Sequence, residues 1–195
     1  MRLERRHAFN CTRIAAHERS GFTMIELLIV VCVVLLTLLL FSQTMGSAIA
    51  LNSVNRESNL ATEGARGMIE ELQGGEDFSL LFRLYNDYPD DDPGGPGTAP
   101  GAGFEVEGLE PADDDPDGFV GEIRFPSTMG PGGLELHEDL IDEALGMPRD
   151  LDCDGSLDGA DKKGTYCLLP VTVSLRWKWR TGVRTLEVAT FLAER

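Results

Sequence analysis

Residues Asp150-Leu151-Asp152-Cys153-Asp154-Gly155-Ser156-Leu157-Asp158-Gly159-Ala160-Asp161 place carboxylates at the first, third, fifth, ninth and twelfth positions, with glycine sixth and leucine eighth. Five like charges in so short a segment repel one another, and a bound cation would offset that repulsion. Carboxylate and carbonyl oxygens are hard donors, and calcium takes six to eight of them in a flexible shell. The expected ligands are Asp150, Asp152, Asp154, the Ser156 carbonyl, Asp158 and Asp161, completed by water, with Gly155 forming the sharp turn. Cys153 stands at an even place and is expected to point away from the ion. The competing reading is a solvated acidic turn without a ligand.

This spacing resembles the EF-hand type of calcium loop, and within it the dockerin variety, in which aspartate can replace the final glutamate. The resemblance implies a structural metal. It departs at Asp161, whose side chain has the shorter reach, and at Gly164, which follows too closely for a full exiting helix. Elsewhere no enzyme constellation is present. His7 and His17 lie in the basic N-terminal stretch, His137 has no serine or cysteine partner in a recognisable motif, and no phosphate-binding glycine loop occurs.

The chain has 195 residues and a net charge of −16. Its first 21 residues hold five arginines against two glutamates, so the remainder carries 12 basic and 31 acidic residues. Such a surface is repelled by phosphate backbones, which argues against nucleic acid as a partner. Leu27 to Phe41 is interrupted only by Cys32 and Thr37, and no charge occurs between Glu26 and Arg56. About 20 helical residues from Phe22 span roughly 30 Å, the thickness of a hydrocarbon core. Arg2, Arg5, Arg6, Arg13 and Arg19 precede this run and place the leader in the cytoplasm, with the rest of the chain across the membrane. Two other readings stand beside this one: a plain anchor, and an ordinary secretory signal cut after Ala48-Ile49-Ala50.

The stretch Gly21-Phe22-Thr23-Met24-Ile25-Glu26-Leu27-Leu28-Ile29-Val30-Val31 resembles the cleavage and methylation signal of the type IV pilin and pseudopilin family. The resemblance covers about eleven residues. It implies cleavage by a prepilin peptidase between Gly21 and Phe22, N-methylation of Phe22, and an assembly role for Glu26, paired with the free amine of a neighbouring subunit's Phe22. A carboxylate within an apolar boundary is costly unless paired, so the pairing would favour assembly over the isolated chain. The partners implied are the peptidase, other pilin-like subunits and an inner-membrane assembly platform, in a pilus or periplasmic filament.

The helix is expected to continue to residue 74. Leu51, Val54, Ser58, Ala61, Ala65, Met68 and Leu72 recur at three- and four-residue steps, and Gly74-Gly75 supplies a stop. Phe78 to Tyr85 offers an apolar cluster to pack beneath it. Phe104 to Val106 and Phe119 to Phe125 read as short strands, and Leu134 to Leu145 as a short surface helix. Val171, Val173, Leu175, Trp177 and Trp179 alternate with polar residues in a half-buried strand, turned at Thr181-Gly182 onto a second strand over Arg184 to Leu192. The basic row between the tryptophans is expected to face solvent or acidic neighbours. If this part is exported, Cys153 and Cys167 form a disulfide closing a loop of about 15 residues, worth about 3 kcal/mol on the chain-entropy account; in the cytosol both would stay free.

The expected organisation is a leader (1–21), a long helix (22–74, membrane span about 22–41) and an exported acidic domain (75–195) holding the loop at 150–161. The fold class is α+β: a long membrane-spanning helix packed on a small antiparallel sheet with a C-terminal β-hairpin. The function expected is structural and non-enzymatic, a minor pilin. The alternatives are a pseudopilin of type II secretion and a calcium-stabilised, membrane-anchored binding domain that never assembles.

Overall fold

A computed structural model of the chain describes residues 21, 23–75, 77–180 and 182–194. The chain divides into two compact units, with the boundary between Ala50 and Leu51.

Helix α1 runs over Met24–Gly74 and opens on Thr23, whose hydroxyl oxygen accepts from the Glu26 N–H at 3.3 Å. A threonine at this place satisfies one of the donors that every helix start leaves open. In the first unit the described side chains of the helix are exposed, and the segment is long and apolar enough to cross a membrane. Its hydroxyls are satisfied within the helix: Thr37 Oγ1 donates to Val34 O and Thr44 Oγ1 to Phe41 O, each at 2.8 Å. This is the arrangement a lipid-facing helix requires, because hydrocarbon offers polar groups no partner.

The second unit takes over the helix from Leu51 and encloses its apolar stripe from Ala61 onward. Ala61, Ala65 and Leu72 are fully buried, Val54, Ser58 and Met68 half-buried, and Leu51 exposed. Small residues bring the backbone close to its cover. A methyl group on Gly64 would collide with Val106 Cγ2 at 2.7 Å, so glycine here is a matter of space. The expected stop holds, since α1 ends at Gly74.

The cover is a four-stranded antiparallel sheet of order β1-β2-β5-β6: β1 Gly103–Phe104, β2 Gly121–Arg124, β5 Leu168–Trp179 and β6 Gly182–Ala193. β5 and β6 pair from Leu168 opposite Ala193 to Trp179 opposite Gly182. The expected alternation holds: Val171, Val173, Leu175 and Trp177 are buried in one core with Ala61, Ala65 and Leu72. A separate two-stranded ribbon joins β3 (Ser127–Gly130) to β4 (Gly133–Leu136).

Residues Phe78–Leu80 form one 3-10 turn, followed by α2 (Leu81–Tyr85), which buries Leu81 and Phe82. Tyr166 ties this cluster to the core: its hydroxyl donates to Phe78 O at 2.6 Å and accepts from Phe82 N at 3.2 Å. One expectation fails. Residues from 134 to 145 complete β4 and then form irregular turns, because Leu136 and Glu138 bond to residues 149–162 and Asp142 caps a local turn, which leaves no run of helical bonds.

Two predictions follow from this packing. Leu175 is fully enclosed, so Leu175→Ala should cost about 2–5 kcal/mol in denaturant unfolding monitored by tryptophan fluorescence. Burial pushes the Tyr166 phenol up to about 12. Its folded value lies above the ordinary one of about 10, so its contribution is fully present below pH 10 and lost as pH rises towards 12. Tyr166→Phe should flatten that alkaline loss in unfolding curves taken across this window.

Candidate functional site

The acidic loop is folded onto β4 and the residues just after it. Lys162 N donates to Leu136 O at 2.8 Å, Leu136 N to Asp161 Oδ1 at 3.1 Å, and Arg149 N to Glu138 O at 3.1 Å. The Glu138 side chain lies fully enclosed among these strands of chain. Its Oε1 accepts from Leu151 N at 2.8 Å and Asp152 N at 3.2 Å, and its Oε2 from Asp158 N at 3.2 Å. A buried carboxylate is tolerable when its lone pairs are filled, and three backbone donors fill these.

The predicted ligands behave unequally. Glu138, Asp150 and Asp152 each bring a carboxylate oxygen within 4.8 Å of the others, close enough to share one divalent cation. Asp150 and Asp152 were expected there from the sequence; Glu138 was not. Asp150 also organises the turn, accepting from Cys153 N at 2.6 Å and Gly155 N at 2.8 Å. Gly155 has φ +87°, the left-handed conformation expected at the sixth place. The remaining acids are engaged by other donors of the chain. Asp154 Oδ1 takes both donors of Ser156 at 2.7 Å, which lowers its pKa. Asp161 Oδ1 accepts from Lys163 N at 3.0 Å in addition to Leu136 N. Asp158 Oδ1 accepts from Ala160 N at 2.9 Å, and that bond first, then Lys162, lowers its pKa.

Lys162 completes the cluster, and sequence reasoning did not single it out. Its side chain is 6% exposed, with Nζ 2.6 Å from Asp152 Oδ2, 3.2 Å from Asp158 Oδ1 and 3.8 Å from Glu138 Oε2. The hydrogen bond to Asp152, reinforced by Asp158, raises its pKa above the ordinary lysine value. The available signal was the adjacent pair Lys162-Lys163, which immediately follows the acidic run.

Tested against a calcium ion, the donor chemistry fits, since the three clustered oxygens are hard carboxylates. The six predicted ligands are not all gathered, and Asp152 Oδ2 already has a cation on it. Cys153 and Cys167 are joined as a disulfide, and Cys153 sits in the left-handed region at φ +64°. The bridge closes a loop of sequence separation 14, which constrains the unfolded chain by about 3 kcal/mol.

The other candidates are placed as follows. Gly21 is exposed, Phe22 lies outside the described residues, and Glu26 sits exposed in the first turn of α1 without an ion pair among the described residues. His137 rests on the loop, with Nδ1 2.8 Å from Gly159 O and Nε2 3.2 Å from Glu135. The basic row of β5 meets acidic neighbours, as the alternation implied: Arg176 pairs with Asp114 at 2.7 Å and Lys178 with Asp113 at 2.6 Å. Searches against family models, characterised proteins and solved structures give no match for this chain.

Glu138→Ala should lower stability by about 3–5 kcal/mol, since it strands three backbone N–H donors and removes a partner of Lys162. Glu138→Gln keeps one carbonyl acceptor and should cost less. Chemical denaturation of the two variants side by side measures the difference.

Proposed function

We propose that this chain is a structural subunit, a minor pilin, of a membrane-rooted helical filament. The observation that carries the reading is α1. Its first part is apolar, exposed and headed by Glu26, and its later part is packed under a small antiparallel sheet. That division gives one helix two solvents, lipid and a protein core, and fits a single-pass protein whose bulk is exported.

Glu26 is then the group that favours assembly. Its carboxylate is costly in lipid and is relieved by the amine that cleavage before Phe22 creates on a neighbouring subunit. The absence of proline between Phe22 and Tyr88 supports a minor subunit, since major pilins often bend this helix with one. The acidic loop contributes stability and no chemistry. Glu138, Asp150 and Asp152 are the carboxylates that would take a calcium ion in place of the Lys162 ammonium.

Intact-mass analysis of the membrane-bound protein should find N-methyl-Phe22 as the first residue. A chain starting at Leu51 would overturn the reading. Glu26→Ala should insert into membranes normally yet enter filaments several-fold less well than wild type when the two are co-expressed, as measured by quantitative mass spectrometry of sheared filaments.

A further inference from the structure

We propose that Lys162 is the resident cation of the acidic loop. Its ammonium occupies the place between Asp152, Asp158 and Glu138, the domain folds without a metal, and a divalent cation enters only in exchange for it. This inference concerns the loop alone and is independent of the filament reading.

The geometry argues for it in three steps. First, the ammonium is internal. Lys162 is a lysine with a long flexible stem, which ordinarily keeps its charge in water, yet its side chain is 6% exposed. Second, it is held by carboxylates of the cluster that a metal would use. Asp152 and Glu138 belong both to the three-carboxylate group and to the Lys162 contacts. An ammonium 2.6 Å from Asp152 Oδ2 and a divalent cation on the same carboxylate would repel each other at close range. Third, the side chain is delivered there by rigid backbone. Lys162 N donates to Leu136 O, and the next residue's N–H is fixed on Asp161 Oδ1.

The consequence is a loop that carries a calcium-type spacing and supplies its own positive charge. The ammonium is one charge with three donors, and it stays attached to the chain at no loss of translational freedom. A calcium ion must displace it and leave the freed ammonium to find water, so the apparent affinity of the wild-type loop is lowered by that exchange.

The test uses the full chain in detergent. Its lysines are Lys162, Lys163 and Lys178, so acetylation followed by peptide mapping reports on each separately. In chelator, Lys162 should be modified far more slowly than Lys178, and the protein should remain folded. Lys162→Gln should lower the midpoint of thermal unfolding in chelator, and calcium at about 1 mM should restore it while leaving wild type nearly unmoved. If the variant does not fold in chelator, refolding it with calcium present makes the same comparison. The idea is overturned if Lys162 is acetylated as fast as Lys178, if chelation unfolds wild type, if Lys162→Gln is as stable as wild type in chelator, if calcium fails to rescue Lys162→Gln, or if it stabilises wild type equally. Failure of the filament reading would be seen separately, in the N-terminal mass.

Discussion

The later part of α1 carries an apolar stripe that water will not tolerate, and the rest of the domain is arranged to remove it from water. Ala61, Ala65 and Leu72 disappear beneath the inward residues of β5. Leu72 and the buried valines and leucine of β5 each contribute about 1.5–3 kcal/mol by transfer, and the two alanines less, so this one contact supplies a large part of the driving force available to so small a sheet. Everything else in the unit is fastened to its rim. Tyr166 pins the 3-10 turn and α2 to the sheet, and β2 joins β5 on the side away from β6.

Charge sets the second constraint. Beyond residue 21 acids outnumber bases by 31 to 12, so cations are scarce. Several of them are placed where acids crowd. Lys162 enters the 150–161 loop, while Arg176 and Lys178 each hold one aspartate of the turn at 113–117. The two sites differ in kind. The pairs on β5 are exposed, weak and screened by salt. The Lys162 contacts to Glu138 and Asp152 are largely enclosed, and these carboxylates are already bonded to the backbone, so they fix geometry that salt does not readily loosen.

Features governed by local periodicity were legible in the sequence. The alternation of Val171 to Trp179 announces a strand, and Gly74 ends the helix where the stripe ends. The reading of residues 134–145 failed because acid–apolar spacing alone cannot say where the hydrogen bonds go. Glu138 accepts from residues 151, 152 and 158, and Asp142 Oδ1 caps Ala144 N and Leu145 N in a turn. For the same reason two of the three clustered carboxylates were legible and the third was not. Asp150 and Asp152 lie inside a recognisable spacing, whereas Glu138 reaches the cluster through tertiary contacts that no local pattern records, and Lys162 stands just past the end of that spacing.

The sheet order has a consequence for the timing of folding. β5, the strand that fills the core and pairs on both sides, lies in the last 28 residues of the chain, and its partner β2 precedes it by about fifty residues. A chain synthesised from its N-terminus therefore presents the helix stripe, α2 and β2 long before their cover exists. Such contacts of high sequence separation are slow to form, since a long loop must close before any reward is gained. Until β5 emerges, the exposed stripe is open to any passing apolar surface. Abundant acid along the intervening segment keeps that waiting chain soluble, because like charges hold growing aggregates apart.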